Sequence, residues 1–247
     1  MKPYKHILVL MAAYLTIFTA TAQEMVKKVR PFSRIIASPH INVILEEGET
    51  ETVKIVYHNV SEDRINVEVQ GKTLRLYLDD ARVTDKLEGR GRHSKRSTYH
   101  DVSITAYITY RTLQHLEVRG AQEVTCHSPI RSDKKFKLKA YGENEINLVS
   151  LRTDYLKTVL YGENRLKIKG GRADYQKYKL YGDNRIDASK MKSYSASAMS
   201  FGESDVRIYS QDELRVTAFG ETRVSFSGDA NLSRGLIFGK TDINRVN

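Results

Sequence analysis

Carboxylates are the first chemistry the sequence offers. Glu143, Glu163, Asp183, Glu203 and Glu221 each follow a glycine. Two acids held at a set separation in one cleft could act as a general acid and base. One acid recurring in every repeat describes a stripe instead. Such a stripe is either a cation or ligand track, or a solvated corner in which Arg165, Arg185 and Arg223, two residues on, relieve the repulsion. Like charges stacked closely cost energy unless water screens them, which favours an exposed column.

A second cluster is basic. Arg82, Lys86, Arg90, Arg92, Lys95 and Arg96 fall between residues 81 and 100, against Asp85 and Glu88. Gly89 and Gly91 flank Arg90, and His93 and His100 share the stretch. This reads as a basic loop inserted into the pattern. It is either a contact for an anionic polysaccharide, lipid headgroups or an envelope protein, or a solvated loop without a partner. Nucleic acid is a poor partner, because no base-stacking aromatic is interleaved with these charges. Two histidines do not make a metal site.

Other catalytic signatures are missing. The chain has no Gly-x-Ser-x-Gly, His-Glu-x-x-His, P-loop or Cys-x-x-Cys. Gly89-Arg90-Gly91-Arg92 follows no strand into a helix, so it is no dinucleotide fingerprint. The lone Cys126 sits between Val124 and His127 on a strand pattern and reads as a buried, inert thiol. No catalytic residue, cofactor or metal is expected, and the chain reads as a non-enzyme.

The elements that would position these residues follow from a repeat. Tyr141-Gly142-Glu143-Asn144 returns as Tyr161-Gly162-Glu163-Asn164 and Tyr181-Gly182-Asp183-Asn184. Degenerate copies begin at Phe201, Phe219 and Phe238, and a weaker one is Arg119-Gly120-Ala121-Gln122. A period of about twenty residues is too short for a helical solenoid. Alternating pairs after the glycine (Ile146/Leu148, Leu166/Ile168, Ile186/Ala188) read as half-buried strand. The pattern therefore predicts an all-β parallel β-solenoid with coils of about 20 residues, each made of two or three short strands and tight corners. Stacked coils lie about 4.8 Å apart, so equivalent residues form columns. Tyr141, Tyr161, Tyr181, Phe201, Phe219 and Phe238 make an aromatic one. Asn144, Asn164 and Asn184 make an amide one, able to hydrogen-bond along the axis.

In chain order, residues 1–22 read as a secretory signal, with Lys2 and Lys5, an apolar Ile7–Ala20 run and an Ala20-Thr21-Ala22 cleavage site. Residues 23–247 then form one β-helix domain. It comprises a lead-in or cap over 23–34, irregular N-terminal coils over 35–80, the basic loop at 81–100 and regular coils over 101–247. The first coil is expected at Ile36–Ile41, with Ala37-Ser38-Pro39 standing in for Gly-Glu-Asn. About nine coils give a rod about 40–50 Å long. The last coil is expected to lack a cap and to offer a homo-oligomer contact. Later segments are broken by charges, so no transmembrane span is expected after the signal. Net charge is +10.

The opening Phe32-Ser33-Arg34-Ile35-Ile36-Ala37-Ser38-Pro39-His40-Ile41-Asn42-Val43, the signal and the aromatic-Gly-acid-Asn coils together resemble the exported head GIN domain family of putative auto-transporter adhesins. The resemblance covers roughly residues 32–247 and implies a single-stranded, right-handed parallel β-helix in the cell envelope: periplasmic, outer membrane-associated or on the cell surface. It brings no catalytic residues. The expected function is an adhesin-like binding module for a polysaccharide or an envelope partner. The alternatives are a polysaccharide lyase or hydrolase on a β-helix scaffold, and a structural scaffold that self-associates.

Overall fold

The computed structural model describes residues 23–81, 99 and 101–246, together with the backbone of 87–88 and 96–97. The signal stretch at 1–22 lies outside the described residues. Strands appear in the order β1 (Gln23–Lys28), β2 (Arg34–Ala37), β3 (Ile41–Glu47), β4 (Thr52–His58), β5 (Ile65–Gln70), β6 (Thr73–Leu78), β7 (Leu87–Glu88), β8 (Arg96–Ser97), β9 (Ser103–Tyr110), β10 (His115–Cys126), β11 (Ile130–Leu148), β12 (Leu151–Ile168), β13 (Gly171–Ala188), β14 (Lys192–Tyr209), β15 (Glu213–Ser227), β16 (Asn231–Phe238) and β17 (Thr241–Arg245). No helix among the described residues is long and apolar enough to cross a membrane.

From β10 onward each coil is one strand, or the pair β16 and β17, laid parallel on the next. Alternation dictates what lies inside. In β11, Phe136, Leu138 and Ala140 point inward before the bend, and Asn144, Ile146 and Leu148 point inward after it. Burying a Leu or Ile side chain is worth about 1.5–3 kcal/mol, and every coil contributes several. No coil can bury this face alone, so stability comes from stacking.

The bend needs glycine. Gly142, Gly162, Gly182, Gly202, Gly220 and Gly239 all have φ near or above +99°. A Cβ on Gly162 would also overlap the carbonyl oxygen of Gly142 on the preceding coil. The bends therefore stack without offset: Tyr141 pairs with Tyr161, Gly142 with Gly162 and Asn144 with Asn164.

The amide column forms the expected ladder. Asn144 Nδ2 donates to Asn164 Oδ1 at 2.9 Å, and Asn164 Nδ2 to Asn184 Oδ1 at 3.1 Å. The same amides donate to the carbonyls of Tyr141 and Tyr161, both at 3.2 Å. The rings of the aromatic column stack from Tyr141 to Phe238 with centroids 4.6–5.4 Å apart.

The N-terminal end is built differently. β2 and β3 lie parallel to β10 and make the first coil. Beyond it the wall of β2 continues through parallel β6 and antiparallel β5. The wall of β3 continues through parallel β9, then antiparallel β4 and β1. Because these segments turn back on themselves, the solenoid has about 7 turns rather than nine. The first coil also differs in register. Val118 pairs with Ala37 and Val124 with Val43, and Gly120 lies against Pro39. Pro39, not Ala37, thus occupies the glycine column. Asn42 on this coil accepts a hydrogen bond from the Glu123 amide at 3.0 Å.

Candidate functional site

The acidic column lies on the outside of the glycine bend. Glu143, Glu163, Asp183, Glu203 and Glu221 are all exposed. A groove of about 430 Å³ runs beside the first three, over the buried amides of Asn144 and Asn164. Its lining is mixed in sign, because Arg165 and Arg185 enter it as well. At the far end Lys240 Nζ lies 3.4 Å from Glu221. Among the described residues no three His, Cys, Asp or Glu side chains converge closely enough to hold a metal ion.

Of the basic loop, Arg82, Lys86, Arg90, Arg92 and Lys95 lie outside the described residues, and so does the side chain of Arg96. The backbone of Leu87–Glu88 pairs antiparallel with Arg96–Ser97. Cys126 is buried. Its Sγ donates to the Ser128 carbonyl at 3.2 Å and faces the Tyr110 hydroxyl at 3.5 Å. Burial pushes the thiol above its ordinary range, opposite to what a nucleophile needs.

Among the described residues a further concentration of positive charge lies on the outer face of the strand run before the bend. Register stacks His115, Lys137, Lys157 and Lys177 in one row. Two residues along, Lys139, Val159 and Lys179 form the next row, continuing from Glu117. On the other side lies Lys135, beside Tyr155 and Tyr175. Six lysines thus share one flat wall over three coils, about 4.8 Å apart along the axis and about 6.6 Å apart across it. Tyrosine columns bound the wall on both sides: Tyr155 stacked on Tyr175, and Tyr141, Tyr161 and Tyr181. The ring faces are taken up in stacking, and Lys135 Nζ lies 5.2 Å from the Tyr155 centroid.

Among the described residues, only Lys139 of the six has a carboxylate within 4 Å, Glu117 at 3.6 Å. Lys137, Lys157 and Lys177 are half-buried, their stems lying along the sheet. Burial, and then the neighbouring Lys139 and Lys157, lower the pKa of Lys137. Burial also lowers that of Lys157, with Lys135, Lys179, Lys177 and Lys139 adding to it. Two ammonium groups one coil apart repel by about 1 kcal/mol even at the dielectric constant of water, and by more at a partly buried surface. An anion laid across the row relieves that repulsion.

At the N-terminal margin of the wall sits Glu117, its side chain 6% exposed. His115, Arg119 and Lys139 surround it, at 3.5, 2.5 and 3.6 Å. The nearby His115 imidazole, the Arg119 hydrogen bonds and the Arg119 and Lys139 charges hold its carboxyl down at about 2, against the opposing effect of burial.

The sequence reading missed this wall. Its signal is nevertheless present: a lysine stands four residues before the aromatic of three successive repeats, at Lys137, Lys157 and Lys177.

A family model described as "Putative auto-transporter adhesin, head GIN domain" matches residues 31–230. Among solved structures, the chain is similar to a putative adhesin from Bacteroides fragilis, with a TM-score of 0.72 and 18% identity over 92% of this chain and 97% of that one. It is similar to a putative adhesin from Parabacteroides merdae, with a TM-score of 0.66 and 17% identity over 93% and 98%. It is also similar to a putative lipid binding protein from Parabacteroides distasonis, with a TM-score of 0.64 and 15% identity over 93% and 98%. At these identities the likenesses show the fold alone. No curated protein matches the chain.

Proposed function

Because the chain belongs to the head GIN domain family of putative auto-transporter adhesins, we propose that it is an exported, non-enzymatic binding module of the cell envelope whose partner is a linear acidic polysaccharide. The lysine wall carries this reading. A sheet with cations on three successive coils matches a polymer with anions on successive units, and the flanking tyrosine columns add rows of phenolic hydroxyls that can hydrogen-bond sugars. A row of like cations repeating with the coil suits holding a chain rather than cutting it. A membrane surface fits less well, since the tyrosines beside the lysines stack on one another instead of projecting as anchors. The family description and the signal-like residues 1–22 support export.

The test is retention of the protein on polygalacturonate and on a neutral glucan across a salt series, with the length of the polymer followed throughout. Retention on the acidic polymer alone, weakening with salt and leaving polymer length unchanged, is the expected result. Equal retention on both polymers would overturn the proposed ligand class, and shortening of the polymer would make the protein an enzyme.

A further inference from the structure

Around the corner from the lysine wall lies a groove of about 920 Å³ along the starts of four successive coils. Register stacks Arg131, Arg152, Arg172 and Lys192 along it. All four are exposed. Arg131 is held by Glu47 at 3.1 Å, and Arg172 Nη2 lies 3.9 Å from Asp174. Arg152 has no carboxylate within 4 Å among the described residues. The floor includes Gly171, with φ +108°, where any Cβ would overlap the Leu151 backbone of the preceding coil. A side chain there is therefore excluded and the groove stays open.

Two tyrosines set this groove apart from the wall. Lys192 Nζ sits 3.8 Å from the centroid of Tyr209, which fixes that ring against the end of the cation row. Tyr194 is 61% exposed and also lines the groove. Unlike the tyrosines of the wall, Tyr194 stacks on no other ring among the described residues, and its exposure leaves the ring accessible from the groove. An open aromatic face beside guanidinium groups offers apolar stacking for a pyranose ring together with bidentate pairing for its acidic substituents.

We infer that this groove is a second binding site, taking a short acidic oligosaccharide with one sugar ring on Tyr194 and carboxylate or sulfate groups on Arg152 and Arg172. Successive cations about one coil apart match successive sugar units. A single open aromatic suits this ligand better than single-stranded nucleic acid, which calls for a platform at successive bases. The site goes beyond the polymer capture assigned to the wall. It supplies ring recognition where the wall supplies charge, and the two share no residue.

The test uses the whole protein, titrated calorimetrically with a galacturonate hexamer and with its methyl ester. Comparison proteins are Arg152→Gln/Arg172→Gln, Tyr194→Ser and, for the wall, Lys157→Gln/Lys177→Gln. The expected result is hexamer binding that falls at least tenfold in the arginine variant and at least threefold in Tyr194→Ser, but less than twofold in the wall variant. The methyl ester should bind at least tenfold more weakly than the acid. Equal hexamer affinity in the parent and both groove variants would overturn the inference. So would inorganic phosphate displacing the hexamer at equal concentration, or an oligothymidylate of matched charge binding more tightly. Loss of hexamer binding in the wall variant alone would also overturn it, while leaving the wall's own role standing.

Discussion

The amide ladder gives a graded prediction. Asn184 accepts one hydrogen bond in the ladder, from Asn164. Asn144 makes two, to the Tyr141 carbonyl and to Asn164. Asn164 makes three: it accepts from Asn144 and donates to Asn184 and to the Tyr161 carbonyl. All three side chains are buried at the same place in their coils. Replacing each in turn by Ala therefore leaves a similar void, and the cavity contribution largely cancels within the series. A net hydrogen bond contributes about 1 kcal/mol. Relative to Asn184→Ala, Asn144→Ala should cost about 1 kcal/mol more and Asn164→Ala about 2 kcal/mol more. Urea unfolding followed by circular dichroism measures this, with a common slope required because stacked repeats can lose cooperativity. Equal costs at the three positions, or the reverse order, would refute the idea that the amides stabilise the bend by bonding along the axis.

Other predictions follow from the same geometry. Ser204 continues the amide column, and the Asn184 Nδ2 facing it has no partner among the described residues; Ser200→Ala/Ser204→Asn should extend the ladder and raise the urea midpoint by the equivalent of about 1 kcal/mol. Gly162→Ala should be severely destabilising, by more than about 3 kcal/mol, since it combines strain at positive φ with a clash against the preceding coil, and thermal melting would show it. Glu117 has a folded-state pKa lowered to about 2. Its stabilisation is therefore fully present above the unfolded carboxylate range near pH 4.5 and is lost as pH falls from there towards 2. Glu117→Gln should remove part of the acid-induced loss of stability over that window, on the order of 2–3 kcal/mol, as read from unfolding curves at stepped pH. Coil β16–β17 leaves Leu236 and Phe238 largely exposed, so sedimentation should show a mass that rises with concentration and a Leu236→Ser/Phe238→Ser variant that does not.

Most of the solenoid could be read from local spacing. The glycine recurs because the bend demands positive φ, and the Asn, aromatic and acid columns are fixed by their distance from it. A parallel stack turns that distance into a neighbour relation, so the Asn144–Asn164–Asn184 ladder was visible in one dimension. Where the spacing depends on a substitute for glycine, the reading slipped. Pro39 fills the glycine column of the first coil, and because proline holds φ at about −65° the positive φ falls on the next residue, His40, at +69°, while the Ala37-Ser38 pair beside it resembles the later motif more closely. The antiparallel strands β4 and β5 show the same apolar alternation as coils, which is why alternation alone overcounts the turns. Alternation reports that a strand is half-buried, not which direction its neighbour runs.

The site was harder to read than the fold. Charge runs in sequence drew attention to residues 82–96, whereas the lysine wall is assembled from residues twenty apart. Lys137, Lys157 and Lys177 each look like an ordinary solvent-facing strand position. Only stacking makes them a row, and among the described residues none of the three has a carboxylate within 4 Å, which leaves the row electrostatically uncompensated. The arginine groove has the same origin in Arg131, Arg152, Arg172 and Lys192.

The central claim is that the lysine wall holds an acidic polymer. It is tested most directly by the affinity of the parent protein and of Lys137→Gln/Lys157→Gln/Lys177→Gln for polygalacturonate at two salt concentrations. Three partly exposed ion pairs should together contribute roughly 1–3 kcal/mol, so the variant should bind about 5- to 150-fold more weakly at low salt, with a shallower salt dependence. Unchanged affinity and an unchanged salt slope in the variant would contradict the account.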